Sequence, residues 1–506
     1  MSRKTLSSMT TLIPATGPNY KADRETMKQT TTTQKRSAAT NEITHTAFRG
    51  LVNVVPTREA SSPELSDLKS AVNVDIDNFG NVVTRPGFLR VYEGKVHSLY
   101  SNGKLCLFRQ DDRLLQLYQV SGAEASSPDV VAPYAVRTLT GGINGSLRMS
   151  YQYVAGRVYY SDAAVTGVVE VTARPIPVVR SWGILPPDAP VLSATTAGIL
   201  SKGQYQVTLT YTRNDGQESG ASTVASIALA PGRSPLRGGR GGGIDIICPL
   251  SADPNVRKIN IYVSAPNGEV PYLAASVDNT PSDTVSGFTV PYHYRGETIT
   301  GPPLLNWGLK PPPPGHLLCY YRGRLYVASL NTLWYSQPYT YELFDPAQGW
   351  LAFDNPITLV AAVEDGIFVA TSQEVVFLKG TEPEKFQLMQ LSDCGAVFGT
   401  QAMGVLPGES GRSEVVFWES RMGKCAGLSG GRIQFLTADT YNYEVGEIGT
   451  GVFWQRNGMQ LYLSIMQGPT MPPVNPQNSL MTTRDKDSGS YSLAMPVPDL
   501  QSVTAI

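Results

Sequence analysis

The sequence is poor in most of what marks a chemically active protein. Among its 506 residues there are only 4 histidines and 5 cysteines. Cys106, Cys248, Cys319, Cys394 and Cys425 lie far apart with no Cys-x-x-Cys, and His45, His97, His293 and His316 are as scattered. A zinc-type site would therefore need distant residues to converge, and no metal or cofactor is expected. An odd set of unpatterned thiols reads as buried and reduced, in a chain that matures in a cytoplasm.

The sequence has no His-Glu-x-x-His and no Walker loop. Asp75-Ile76-Asp77-Asn78-Phe79-Gly80 begins like a calcium loop. It then holds Phe79 and Pro86 where such a loop needs oxygen ligands, so it reads as a strand turning at Gly80. The loop 232–243 carries three arginines among glycines, but no helix follows it, so it does not read as a phosphate cradle. Glu382 and Glu384 are paired carboxylates with nothing to single them out, and Ser329–Gln337 lacks the Asp and Gly of a sialidase Asp-box. No enzyme and no small-molecule substrate are expected.

Charge is also scarce. Only 16% of residues are charged and the formal net charge is −1, which argues against a strongly basic, DNA-gripping protein. No apolar run approaches the roughly 20 residues that span a bilayer, and the first residues lack the apolar core of a secretory signal. A soluble protein is expected.

Turn and sheet formers are plentiful: 48 glycines, 37 prolines, and 25 tyrosines against 14 phenylalanines. Gly and Pro supply turn geometry and Tyr suits half-buried sheet faces, so the fold is expected to be all-β. Similar hairpin phrases recur at 98–120, 151–171, 317–338 and 359–380, with looser versions at 414–437 and 452–465. Small antiparallel sheets that cannot bury both faces alone must stack, and radial stacking gives a β-propeller-like platform, favoured here over a string of hairpins in a sandwich. Within the phrase 323–338, Leu325, Val327, Leu333 and Trp334 are the expected packing residues.

A second echo sets boundaries. Trp182-Gly183-Ile184-Leu185-Pro186-Pro187 returns as Trp307-Gly308-Leu309-Lys310-Pro311-Pro312. Between them, short alternating strands such as 205–213 suggest an inserted immunoglobulin- or fibronectin-like β-sandwich. The expected organisation is a polar arm (1–46), the first part of the propeller (47–187), the inserted sandwich (188–305), the second part of the propeller (306–466) and a Pro-rich tail (467–506). The arm carries seven basic residues against three acidic ones through position 45, a net of about +4. Residues 61–73 are the best short helix candidate, with Ser62 capping and Pro63 in the first turn.

The stretch 71–108 resembles the N-terminal region of tail nozzle or tail-hub proteins of short-tailed bacteriophages. The matching positions are Asn73, Asp77, Gly80, Arg85, Pro86 and Gly87, and 365–383 is similar to a blade of the same family. The match covers about a tenth of the chain. The chain departs from the family in its long polar N-terminus and in the inserted sandwich. The resemblance implies a structural protein of the virion tail, made in the host bacterial cytoplasm. It implies a ring of identical copies, usually six (a hexamer), below the portal and adaptor, with tail fibre or spike proteins as neighbours. Double-stranded DNA would leave through the channel without specific binding. Near-neutral charge is compatible with that, because each phosphate neutralised would add affinity and stall transit. The competing readings are a host-attachment or carbohydrate-binding propeller, with exposed aromatics grouped on one face, and a propeller hydrolase, with carboxylates converging on the axis.

Overall fold

The computed structural model describes residues 9–10, 44–45, 48–51, 66–68, 74–76, 81–84, 91–120, 134–171, 176–230, 242–281, 289–408, 411–438, 441–456 and 459–471. The fold is all-β and propeller-like. Five sheets each run as an antiparallel meander, over 97–140 (blade 1), 150–180 (blade 2), 317–352 (blade 3), 357–392 (blade 4) and 402–435 (blade 5). A long hairpin, Val445–Arg456 with Met459–Met471, takes a sixth place with only two strands.

Each blade buries its faces on its neighbours, as the stacking argument requires. Leu107 and Leu114 of blade 1 pack with Val158 and Val169 of blade 2. Tyr159 and Trp182 of blade 2 meet Leu325 and Val327 of blade 3, and Tyr326 and Leu333 of blade 3 meet Ile367 and Val376 of blade 4. Phe368 and Phe377 of blade 4 reach Trp418 of blade 5, whose Phe417 stacks on Phe453 of the hairpin. Strand composition follows position in the blade. Gly366–Thr371 lies between two other strands, is buried along its whole length and reads as an unbroken apolar run. Gln387–Ser392 is the last strand of the same blade and mixes polar with apolar residues, and it is largely exposed, Leu388 and Met389 included.

The recurring Gly-Arg phrase has a backbone cause. Ala155 and Gly156 have φ of 49° and 82°, and Arg322 and Gly323 have 44° and 79°. Positive φ at both central positions is the two-residue hairpin turn whose twist matches its strands, and glycine adopts it without a side-chain clash.

Between blades 2 and 3 the chain builds a sandwich. One sheet orders Val191–Leu200, Gly242–Pro249 and Thr289–Tyr294. The other orders Ala225–Leu229, Gly203–Arg213, Val256–Ser264 and Pro271–Asp278. Alternate residues of the central strands point inward: Tyr205, Val207, Leu209 and Tyr211 from one sheet cover Ile244, Ile246 and Cys248 from the other.

Two expectations are corrected. Ser66–Leu68 is a strand pairing in parallel with Phe48–Leu51, so the short helix expected over 61–73 does not form there. A lone helix of that length is marginal, and strand pairing satisfies the same backbone groups. The tail expected from 467 begins later, because Thr470 and Met471 still pair with Gly446 and Val445. Within the arm, Met9–Thr10 pairs with Thr44–His45; the rest of 1–46, and 472–506, lie outside the described residues. Val74–Ile76 pairs with Val82–Thr84, as a strand turning near Gly80 requires.

Candidate functional site

The first strands of blades 1, 2, 3 and 5 and of the hairpin converge on a pocket of about 250 Å3 at the centre of the platform. Tyr100, Gln152, Tyr153, His316, Gln401 and Arg148 contribute its polar wall. Arg148 leaves the link between blades 1 and 2. Its Nη1 donates to the Gly449 carbonyl at 2.7 Å and its Nη2 to the Gly399 carbonyl at 3.1 Å, while the guanidinium sits 5.5 Å from the Phe398 ring centre. It thereby ties the start of the platform to its last hairpin, 301 positions away. Gly399 admits it: φ is +86°, and a Cβ there would lie 1.7 Å from the Arg148 Nη1. Burial pushes the guanidinium down to about 10, so it stays protonated at neutral pH.

Gln401 accepts from the Val360 N–H through Oε1, leaving its amide NH2 to donate. His316 bonds the Ile357 carbonyl through Nε2, which must then carry the proton. Among the described residues no carboxylate lines the pocket. It therefore lacks the converging acids that a propeller hydrolase would place on its axis. Among the described residues no group of three or more His, Cys, Asp or Glu could hold a metal ion.

Burial holds His316 and His97 below the ordinary 6.5, outweighing the carbonyls of Ile357 and Gly145 that pull them up. The unfolded chain then binds protons that the folded chain refuses as pH falls below 6.5, so stability is full above that value and lost below it. Thermal melts at about pH 7.5 and about pH 5.5 should show a lower midpoint at the acidic pH, and His316→Gln should shrink the difference. An unchanged difference would place the His316 ring in solvent.

A second constellation fixes the sandwich to the platform. Glu342 lies on the last meander strand of blade 3 with its side chain 2% exposed. It accepts from Arg180 of blade 2 at 2.8 Å, from Arg213 of the sandwich at 2.6 Å and from the Gly183 N–H at 3.2 Å. Asp215, in the Asn214-Asp215-Gly216 turn, binds Arg213 and Arg157, and Glu170 binds Arg157 and Arg180. Three guanidiniums thus meet three carboxylates at a junction of blade 2, blade 3 and sandwich. Burial works against ionisation of Asp215, but its hydrogen bond and charge contact with Arg213 win and hold it below the ordinary carboxylate range. The sequence marked this turn only as a turn. Asp215 reaches Arg157 of blade 2 across 58 positions, and its neighbour Arg213 reaches Glu342 of blade 3 across 129, and no local pattern points to either.

Two other blade interfaces carry buried ions. Arg109 of blade 1 donates to Asp162 of blade 2 at 2.9 Å with both side chains fully buried, and to the carbonyls of Leu147 and Asn144. Glu419 of blade 5 accepts from Lys424 and from Ser464 and Tyr443 of the hairpin region.

Of the residues singled out by sequence, Leu325, Val327 and Leu333 are fully buried, the first two against Trp182 and the third in the core between blades 3 and 4. Trp334 is half-buried, 6.3 Å from the Trp350 ring. Asn73, Asp77, Gly80, Arg85, Pro86 and Gly87 lie outside the described residues. The five cysteines are unpaired, and burial pushes Cys248, Cys319 and Cys425 up to about 12.

No protein-family model and no curated protein matches the chain. Among solved structures it is similar to Sqt1 of Saccharomyces cerevisiae, with 9% identity, 65% of this chain and 93% of that chain covered, and a TM-score of 0.18. It is also similar to the extracellular domain of the putative one-component system BT4673 of B. thetaiotaomicron, with 11% identity, 78% of this chain and 49% of that chain covered, and a TM-score of 0.20. At such scores nothing carries over from either protein.

Proposed function

We propose that the chain is a structural subunit of a bacteriophage tail nozzle or hub, working in a closed ring of copies around exiting double-stranded DNA. The observation that carries this is the neutral six-charge junction centred on the buried Glu342, Arg180 and Arg213, which ties the sandwich to the platform. A wall under pressure requires stiffness, and a side domain held at a fixed angle offers a seat for fibres or spikes.

The charge economy fits the same role. Arg109, Arg157, Arg180, Arg213 and Lys424 are all engaged by carboxylates of this chain, so their charge is not free to hold phosphate. A duplex with one charge per ~1.7 Å would slide past such a surface more readily than past unpaired cations. The platform's own axis is not the conduit. Its pocket holds about 250 Å3, whereas the major groove of DNA alone is about 12 Å wide. The duplex would pass between copies, with each subunit forming part of the surround.

Electron microscopy of the purified chain and of tail particles tests the proposal. Closed rings with a central hole wide enough for a duplex are the expected result. A chain that stays monomeric and is missing from tail particles defeats it.

A further inference from the structure

The axial pocket has features that a structural wall does not need. Arg148 is a protonated guanidinium with no carboxylate partner among the described residues, whereas the buried arginines at the blade and sandwich junctions have one. Two of its five N–H groups go to backbone carbonyls, which leaves three donors and a full positive charge on the pocket wall. Carbonyl dipoles orient the guanidinium without neutralising it. A side chain at position 399 would collide with this guanidinium.

The rest of the wall describes the occupant. The volume of about 250 Å3 equals roughly eight waters' share of the liquid, room for one six-membered ring with a substituent. Tyr100, Tyr153 and Phe453 supply aromatic surface, and Gln152 and Gln401 supply amide groups. Tyr153 is 44% exposed and Met403 43%, so the pocket can be reached from solvent. Aromatic faces beside amides suit the C–H and hydroxyl surfaces of a sugar ring, and a lone guanidinium suits a carboxylate.

We propose that the axial pocket is a binding site for a single acidic sugar, a hexuronate whose carboxylate meets Arg148 and whose ring lies against the exposed Tyr153. This is independent of the ring-forming role, since it concerns the interior of one subunit.

Titration of the full chain with sodium glucuronate, followed by calorimetry or ligand-observed NMR, tests it against glucose and inorganic phosphate as separate probes. Glucuronate should bind at least tenfold more tightly than glucose, through the charge-assisted contact. Tyr153→Ala and Met403→Trp, neither of which touches the Arg148 bonds, should each weaken binding about tenfold or more. Arg148→Gln, which removes the charge, should abolish the preference for glucuronate over glucose. If that variant unfolds, Met403→Trp decides, because it fills the pocket and leaves the clasp intact. Equal binding of glucose and glucuronate overturns the proposal. So does phosphate binding as tightly as glucuronate, which would reveal a plain anion hole, and so does glucuronate binding that ignores both pocket substitutions.

Discussion

Replacing Glu342 with alanine is expected to destabilise the protein by about 3–5 kcal/mol. The residue is 1% exposed and serves two arginines and a backbone N–H at once. Its loss leaves Arg180 and Arg213 facing each other in a buried place with Asp215 and Glu170 as their remaining acids. Uncompensated buried charge is what makes breaking such a cluster costly, more than the attraction lost. Glu342→Gln should cost less, since an amide oxygen still accepts one bond. Urea melts followed by tryptophan fluorescence and by circular dichroism provide the check. The wild type should unfold with platform and sandwich together, and the alanine variant should show the two signals separating. A loss below about 1 kcal/mol, or coincident transitions in the variant, would mean that the junction does not couple the two units.

The second large effect separates two tryptophans that the sequence presents as equivalents. Trp182→Ala is expected to cost about 3–5 kcal/mol, and Trp307→Ala less than about 1 kcal/mol. Trp182 is 1% exposed, packs on Tyr159 at 5.0 Å and Phe344 at 6.2 Å, and donates its indole N–H to the Tyr341 carbonyl at 2.8 Å. Trp307, in the matching place of the second phrase, is 41% exposed. Trp334, half-buried beside Trp350, should fall between them. Similar losses for Trp182 and Trp307 in denaturant melts would show that both segments pack alike and that the asymmetry is wrong.

These comparisons mark what the sequence reveals about this molecule. Hairpins announce themselves because apolar runs, Gly-centred turns and alternation are local. The burial of Leu325, Val327 and Leu333 follows from a pattern a dozen residues long. The sandwich is legible for the same reason, in the alternation of Tyr205, Val207, Leu209 and Tyr211. The charged junctions are not. Arg148 meets Gly449 across 301 positions and Arg180 meets Glu342 across 162, and each looks in sequence like any surface ion. Their roles arise only after the sheets stack. The helix expected over 61–73 failed in the opposite direction: a cap and first turn are local signals, and Ser66–Leu68 took a strand partner instead.

The two Trp-Gly segments also bear on how the molecule could be rebuilt. They run beside each other: a Cβ on Gly183 would sit 2.9 Å from the Pro311 Cβ, and Gly220 of the sandwich is pressed against the Leu309 carbonyl and Pro186. The sandwich is therefore entered and left through one doorway. A domain attached that way is a cassette, exchangeable for a different one without cutting the platform elsewhere. The swap would also leave the junction in charge balance: Arg213 and Asp215 depart together with the sandwich, and Glu342 and Glu170 keep Arg180 and Arg157 of the platform.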